Sequence, residues 1–83
     1  MQNIINVFED PLKISILELL DKKSSISAGD ITRELKSSPS YIIDKLLELK
    51  DIGLVKKTVN PLNYNLNKQL YEKAKKHLSE LSN

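Results

Sequence analysis

Apolar residues recur along this chain at helical spacing first and at strand spacing later. Ile4, Ile5, Val7 and Phe8 open it as a short helix of one or two turns. Asp10-Pro11 then marks the start of a longer helix. An Asp side chain accepts amide hydrogens at an N-cap, and the fixed φ of proline suits the first helical position. Leu12, Ile16, Leu19 and Leu20 form a helical stripe, and Ile14 and Leu17 widen it past half the circumference. A helix this apolar needs cover on two sides. It is predicted to be the centre of the core and to end near Asp21-Lys22-Lys23.

Ser24 and Ser25 read as a loop, with Ile26 as a single buried residue. Ser27 is the next N-cap, and Asp30 stands at the third helical position in a capping-box-like arrangement. Ile31 and Leu35, four apart, define one face of a short helix over about 28–36. After the Lys36-Ser37-Ser38 turn a further helix starts, with Ser38 as N-cap and Pro39 at the first position. Ile42, Leu46 and Leu49 are its buried stripe. Gly53 stops it, because glycine takes the left-handed C-terminal conformation at no steric cost, and Leu54 closes the hydrophobic contact of such a cap.

Beyond this point the period falls to two. Leu54 to Val59 reads as a strand, Asn60-Pro61 as a very short turn, and Leu62 to Leu66 as a second strand alternating apolar residues with asparagine. A last helix, starting at Asn67 or Lys68, carries Leu70, Ala74, Leu78 and Leu81 on one face. Tyr71 extends that face and Lys73, Lys75 and Lys76 flank it. Two short helices joined by a tight turn and followed by a hairpin make a winged helix-turn-helix. The fold class is therefore mainly α with a small β-hairpin. We expect one domain over 1–83, with the helix-turn-helix at about 27–53, the wing at about 54–66 and a C-terminal dimerisation helix at about 68–81.

Composition narrows the chemistry. The chain has 83 residues, 40% of them hydrophobic and 29% charged, which is globular rather than disordered. So short a chain buries only about 60–65% of its unfolded surface and gains from a second subunit. No apolar run approaches the roughly 20 residues that span a bilayer, and no signal peptide is expected; the location implied is cytoplasmic. The absence of cysteine excludes disulfides, thiolate metal sites and cysteine nucleophiles. A lone His77 offers no second metal ligand, and no phosphate loop or nucleophile–base set is present, so neither a metal, a cofactor nor an enzyme activity is expected. Charge is uneven. Residues 1–55 hold seven basic and nine acidic side chains, whereas residues 56–83 hold six lysines and two glutamates. Positive charge gathered in the last third suits an anionic partner.

Several segments resemble the ArsR family of regulators. Phe8-Glu9-Asp10-Pro11-Leu12-Lys13-Ile14-Ser15-Ile16-Leu17-Glu18-Leu19-Leu20 is similar to the family's first core helix, with Lys13 where the family usually has Arg. Ser38, Ser40, Ile42, Leu46, Leu49 and Gly53-Leu54-Val55 fall on the spacing of its turn and recognition helix. Tyr64-Asn65-Leu66-Asn67 resembles the end of its wing. The resemblance spans about 8–67 and implies a homodimeric, DNA-binding transcriptional regulator. It carries no metal site here, since the Cys and His clusters of metal-sensing members are missing. The uncharged Asn60-Pro61 tip also departs from the basic, glycine-containing wing loop of the family.

On this reading the candidate DNA contacts are Ser38, Ser40, Tyr41, Ile43, Asp44 and Lys45 on the recognition helix, with Lys56, Lys57 and Asn63 on the wing. The N-terminal turn would meet a phosphate, Ile43 a thymine methyl and Asp44 a cytosine amine. The wing lysines would hold phosphates. The dimer seam would join Ile4, Ile5 and Phe8 to Leu70, Ala74, Leu78 and Leu81; the other possibility for that stripe is packing on the first core helix. The expected partners are double-stranded DNA and a second copy, with no membrane. The function expected is sequence-specific regulation of transcription, as a repressor. The alternative is a winged-helix protein-interaction module that uses apolar Ile43 and Leu47 as its contacts.

Overall fold

A computed structural model of the chain describes residues 4–59 and 61–81, the side chains of 4, 5 and 81 excepted. A 3-10 turn over Ile4–Glu9 leads into α1 (Pro11–Lys23), β1 (Ser25–Ile26), α2 (Ala28–Leu35), α3 (Pro39–Asp51), β2 (Val55–Thr58), β3 (Asn63–Leu66) and α4 (Lys68–Leu81). The helix starts follow the predicted capping chemistry. The Asp10 carboxylate accepts from the amides of Leu12 and Lys13, the Ser27 hydroxyl from Asp30, and the Ser38 hydroxyl from Tyr41. Asp30 does not reach back to complete a capping box; its carboxylate pairs with Arg33 one turn on.

The end of α3 is also as predicted. Gly53 has φ +86. Its amide donates to the Lys50 carbonyl at 3.0 Å, and Leu54 donates to the Leu49 carbonyl at 3.0 Å. These two bonds are the Schellman pattern, which satisfies carbonyls that the helix itself cannot. α2 closes differently. Lys36 takes the left-handed conformation at φ 52 without being glycine, so the turn of the helix-turn-helix holds some backbone strain.

The hairpin gains a strand that periodicity does not reveal. Ser25 and Ile26 pair antiparallel with Asn65 and Tyr64, which makes a three-stranded sheet of order β1-β3-β2 with β3 in the middle. Two residues carry no readable period, and their partner lies some forty positions along the chain. Ile26 is therefore buried as expected, but as a strand residue. The wing tip is longer than the sequence suggests. The last β2–β3 pair is Thr58 with Asn63, so Val59 and Leu62 leave the strands and stand in the tip. At the other end Leu54 is taken by the helix cap, which shortens β2 from its first residue.

The core forms where these elements meet. Ile16, Leu17 and Leu20 of α1, Ile31 of α2, and Ile42, Leu46 and Leu49 of α3 are fully buried with Leu54. Val55, Tyr64 and Ile26 bring the sheet onto the same cluster. α4 attaches by Tyr71, whose ring stacks on Phe8 with centroids 6.4 Å apart. Burial raises the Tyr71 phenol pKa, and the carboxylates of Asp21, Glu18 and Glu72 push it the same way. Lys75 lies over the other part of this cluster, its ammonium 4.8 Å from the Tyr71 ring centre. Asn67 ties the start of α4 to the end of α3: its amide donates to the Leu54 carbonyl and its side-chain amide to the Gly53 carbonyl, at 2.8 and 2.9 Å.

Candidate nucleic-acid interface

The surface of interest is built on α3, because that helix has one face in the core and one in water. Ile42, Leu46 and Leu49 fix its rear. Ser40, Ile43, Asp44 and Leu47 then fall on the front by spacing alone, with Tyr41 beside them, and all five are exposed. At its N-terminus Pro39 removes one unsatisfied donor and the Ser38 hydroxyl takes the Tyr41 amide at 3.4 Å. The Ser38 and Ser40 hydroxyls lie 3.3 Å apart. The Ser40 amide has no helical carbonyl to bond by position, so it points outward as a donor at the positive end of the helix.

Two ion pairs lock α3 across α1. The Lys45 ammonium is 2.7 Å from Asp10 Oδ2, and the Lys13 ammonium is 2.8 Å from Glu48 Oε2. Each helix contributes an acid and a base three residues apart, in opposite order, so the pairs match where the helices cross. The buried Glu48 oxygen is compensated by the Lys13 charge. Burial would raise the pKa of Asp10, but the bond from Lys45 and the amides of Lys13 and Leu12 outweigh it and hold the carboxyl below its ordinary range. The bond to Asp10 in turn raises Lys45, against a smaller opposing effect of burial.

These pairs were not read from the sequence, although opposed charges at i, i+3 on two adjoining helices are a usable signal. They also change one assignment. Lys45, a candidate DNA contact, is half-buried and engaged with Asp10. Lys13, named only as a replacement for the family's Arg, is 7% exposed and is a structural cation.

On the wing, Lys56 and Lys57 are both exposed. They lie on opposite sheet faces: Lys56 is paired across the ladder with Asn65, and Lys57 with buried Tyr64. Asn63 is half-buried and shares the Lys56 face. Asn65, in the central strand, has a buried side-chain oxygen without a hydrogen-bond donor. At the other end of the molecule, Ala74 is buried within the protomer and Leu70 packs on the core beside Gly53. Phe8, Ile14, Tyr71 and Leu78 line a shallow groove between α1 and α4. The side chains of Ile4, Ile5 and Leu81 lie outside the described residues. Among the described residues, no helix is long and apolar enough to cross a membrane, and no three His, Asp or Glu side chains gather as a metal site.

Two capped helices at a tight turn, the second with a bare front, and a wing beside it define a winged helix-turn-helix of the kind that regulates transcription by binding DNA. The family described as bacterial regulatory protein, arsR family, matches residues 10–57, from the N-cap of α1 into β2, and the chain belongs to that family. No curated protein matches the chain.

Proposed function

We propose that this DNA-binding regulator is a sequence-specific, homodimeric repressor that works in the cytoplasm as a single domain. The observation that carries the reading is the front of α3, solvated along its length while the rear is locked into the core. Ser38 and Ser40 meet a phosphate, Tyr41, Ile43 and Asp44 approach base edges, and Lys56, Lys57 and Asn63 bind the flanking backbone. Lys45 acts behind the interface and orients α3 through Asp10. Occupation of an operator by such a dimer excludes polymerase by overlap, and repression is the simplest result.

The dimer is proposed at the chain ends, where a second copy covers the Phe8, Ile14 and Leu78 groove; Ile4, Ile5 and Leu81 are assigned to the same seam from the sequence pattern alone. Leu70 and Ala74 support that surface from within the protomer. Sedimentation should give about twice the 9.5 kDa monomer mass, and Leu78→Glu should return a monomer. A monodisperse wild-type monomer removes the dimer.

Ile43 and Leu47 also favour a second reading, in which the front of α3 binds a protein. Salt separates the two. Each phosphate neutralised by a lysine adds about −0.9 to the slope of log affinity against log salt, so binding to duplex DNA should weaken steeply as salt rises. Lys56→Ala should flatten that slope by about one unit per contact. Absence of DNA binding at low salt, with capture of a protein lost in Ile43→Glu, would establish the second reading instead.

A further inference from the structure

Among the described residues, the large apolar side chains left exposed are Tyr41, Ile43, Leu47, Val59 and Leu62. Scattered exposed apolar residues are ordinary. These are not scattered: all stand on α3 or at the tip of the wing, the two parts that the proposed function sets against DNA. Ile43 and Leu47 are four apart and share the front of α3 with Ser40 and Asp44, where they keep 38% and 47% of their surface in water.

What the front lacks is equally informative. Guanine is read by Arg or Lys and adenine by Asn or Gln, through paired hydrogen bonds in the major groove. No residue of α3 is Arg, Asn or Gln. Of its two lysines, Lys45 is engaged with Asp10, and Lys50 lies a turn beyond Leu47, one residue from the C-terminal end of α3. The base-edge feature that suits an aliphatic side chain is the thymine C5-methyl group. We propose that Ile43 and Leu47 read thymine methyl groups, so that the DNA recognised beneath α3 is rich in A·T pairs. Recognition at these two positions is apolar, Asp44 is left to accept from a single cytosine amine, and affinity comes from phosphate contacts of the wing lysines and the Ser40 amide. The proposal rests on the DNA-binding reading above and specifies the ligand of that same surface.

Replacement of thymine by uracil removes the methyl and leaves every hydrogen-bonding group in place. The test compares the full chain on an alternating dA–dT duplex and on the corresponding dA–dU duplex. Each methyl contacted should be worth about three- to fivefold in affinity, so two per protomer should favour dA–dT by about tenfold or more for each protomer engaged. The double variant Ile43→Ala, Leu47→Ala should bind both duplexes alike. Its salt slope should match that of wild type, because methyl contacts release no counterions. Both residues are exposed, so the variant should keep the wild-type circular dichroism, and each single variant should lose part of the preference. Equal wild-type affinity for the two duplexes overturns the inference while DNA binding stands. A preference that survives undiminished in the double variant also overturns it, since it then comes from duplex shape. Failure to bind either duplex at low salt overturns the DNA-binding reading itself.

Discussion

Along the rear of α3, Ile42, Leu46 and Leu49 are 0% exposed, whereas Ile43 and Leu47 on the front are exposed aliphatics of the same kind. The same residue types thus serve two ends within a dozen positions. At the rear, volume and apolarity are what the fold demands, and the interlocking with α1 and the sheet leaves little freedom. On the front the fold demands nothing, so a polar residue would serve stability equally well. The identity of a front residue therefore carries information about a partner, and the identity of a rear residue carries information about packing.

Substitutions should separate the two faces by size of effect. The largest is expected at the rear. Leu46→Ala should lower unfolding free energy by about 2–5 kcal/mol in denaturant titration; a loss under about 1 kcal/mol would mean that the rear collapses easily around a void and that the contrast is overdrawn.

The ionic tie behind α3 comes next. Asp10→Ala removes an N-cap and the partner of Lys45, and should cost about 1–2 kcal/mol. Its pH dependence has a defined sign. The Asp10 pKa is lowered from 3.8 and the Lys45 pKa raised from 10.5. The contribution of the carboxylate is present above 3.8 and lost as pH falls through the lower folded value; that of Lys45 is present below 10.5 and lost as pH rises through the higher one. The stability gap between wild type and Asp10→Ala should be flat between these limits and close outside them, as followed by thermal melts across pH. A gap that widens in acid would contradict the pairing.

The turn that aims α3 gives a smaller effect of opposite sign. Lys36→Gly relieves left-handed strain at an exposed site and should stabilise by about 0.5 kcal/mol, the gain being limited by the larger unfolded-state freedom of glycine. On the front, Ile43→Ala and Leu47→Ala should leave stability unchanged within about 0.5 kcal/mol while DNA affinity falls. A front substitution that unfolds the protein would erase the distinction between the faces.

The parts of the fold that announce themselves in the sequence are those with local causes. Asp10-Pro11, Ser27 and Ser38-Pro39 mark helix starts because a cap is chemistry between near neighbours. The Gly53-Leu54 cap and the buried stripe of α3 are legible for the same reason. β1 is not legible, because two residues carry no period and their partner strand is distant in sequence; the acid–base spacings of Asp10 and Lys13 and of Lys45 and Glu48 are legible, but their pairing depends on a helix crossing that only the tertiary structure supplies. The candidate interface divides along that line. The exposed positions of α3 follow from its periodicity, but the withdrawal of Lys45 into the pair with Asp10 does not. Likewise, spacing makes Leu70 and Ala74 an apolar stripe, and only packing shows that both are used inside the protomer.

The central claim is that the front of α3 is where this protein meets DNA. It is tested most directly by mapping backbone amide shifts by NMR as a short A·T-rich duplex is added. The account predicts that the perturbed amides concentrate in residues 38–47 and on Lys56 and Lys57, with the C-terminal turn of α3 from Glu48 to Asp51 and the α4 stripe from Leu70 to Leu78 little changed. Perturbations confined to α4 and the Phe8 groove, with the front of α3 unmoved, would contradict it.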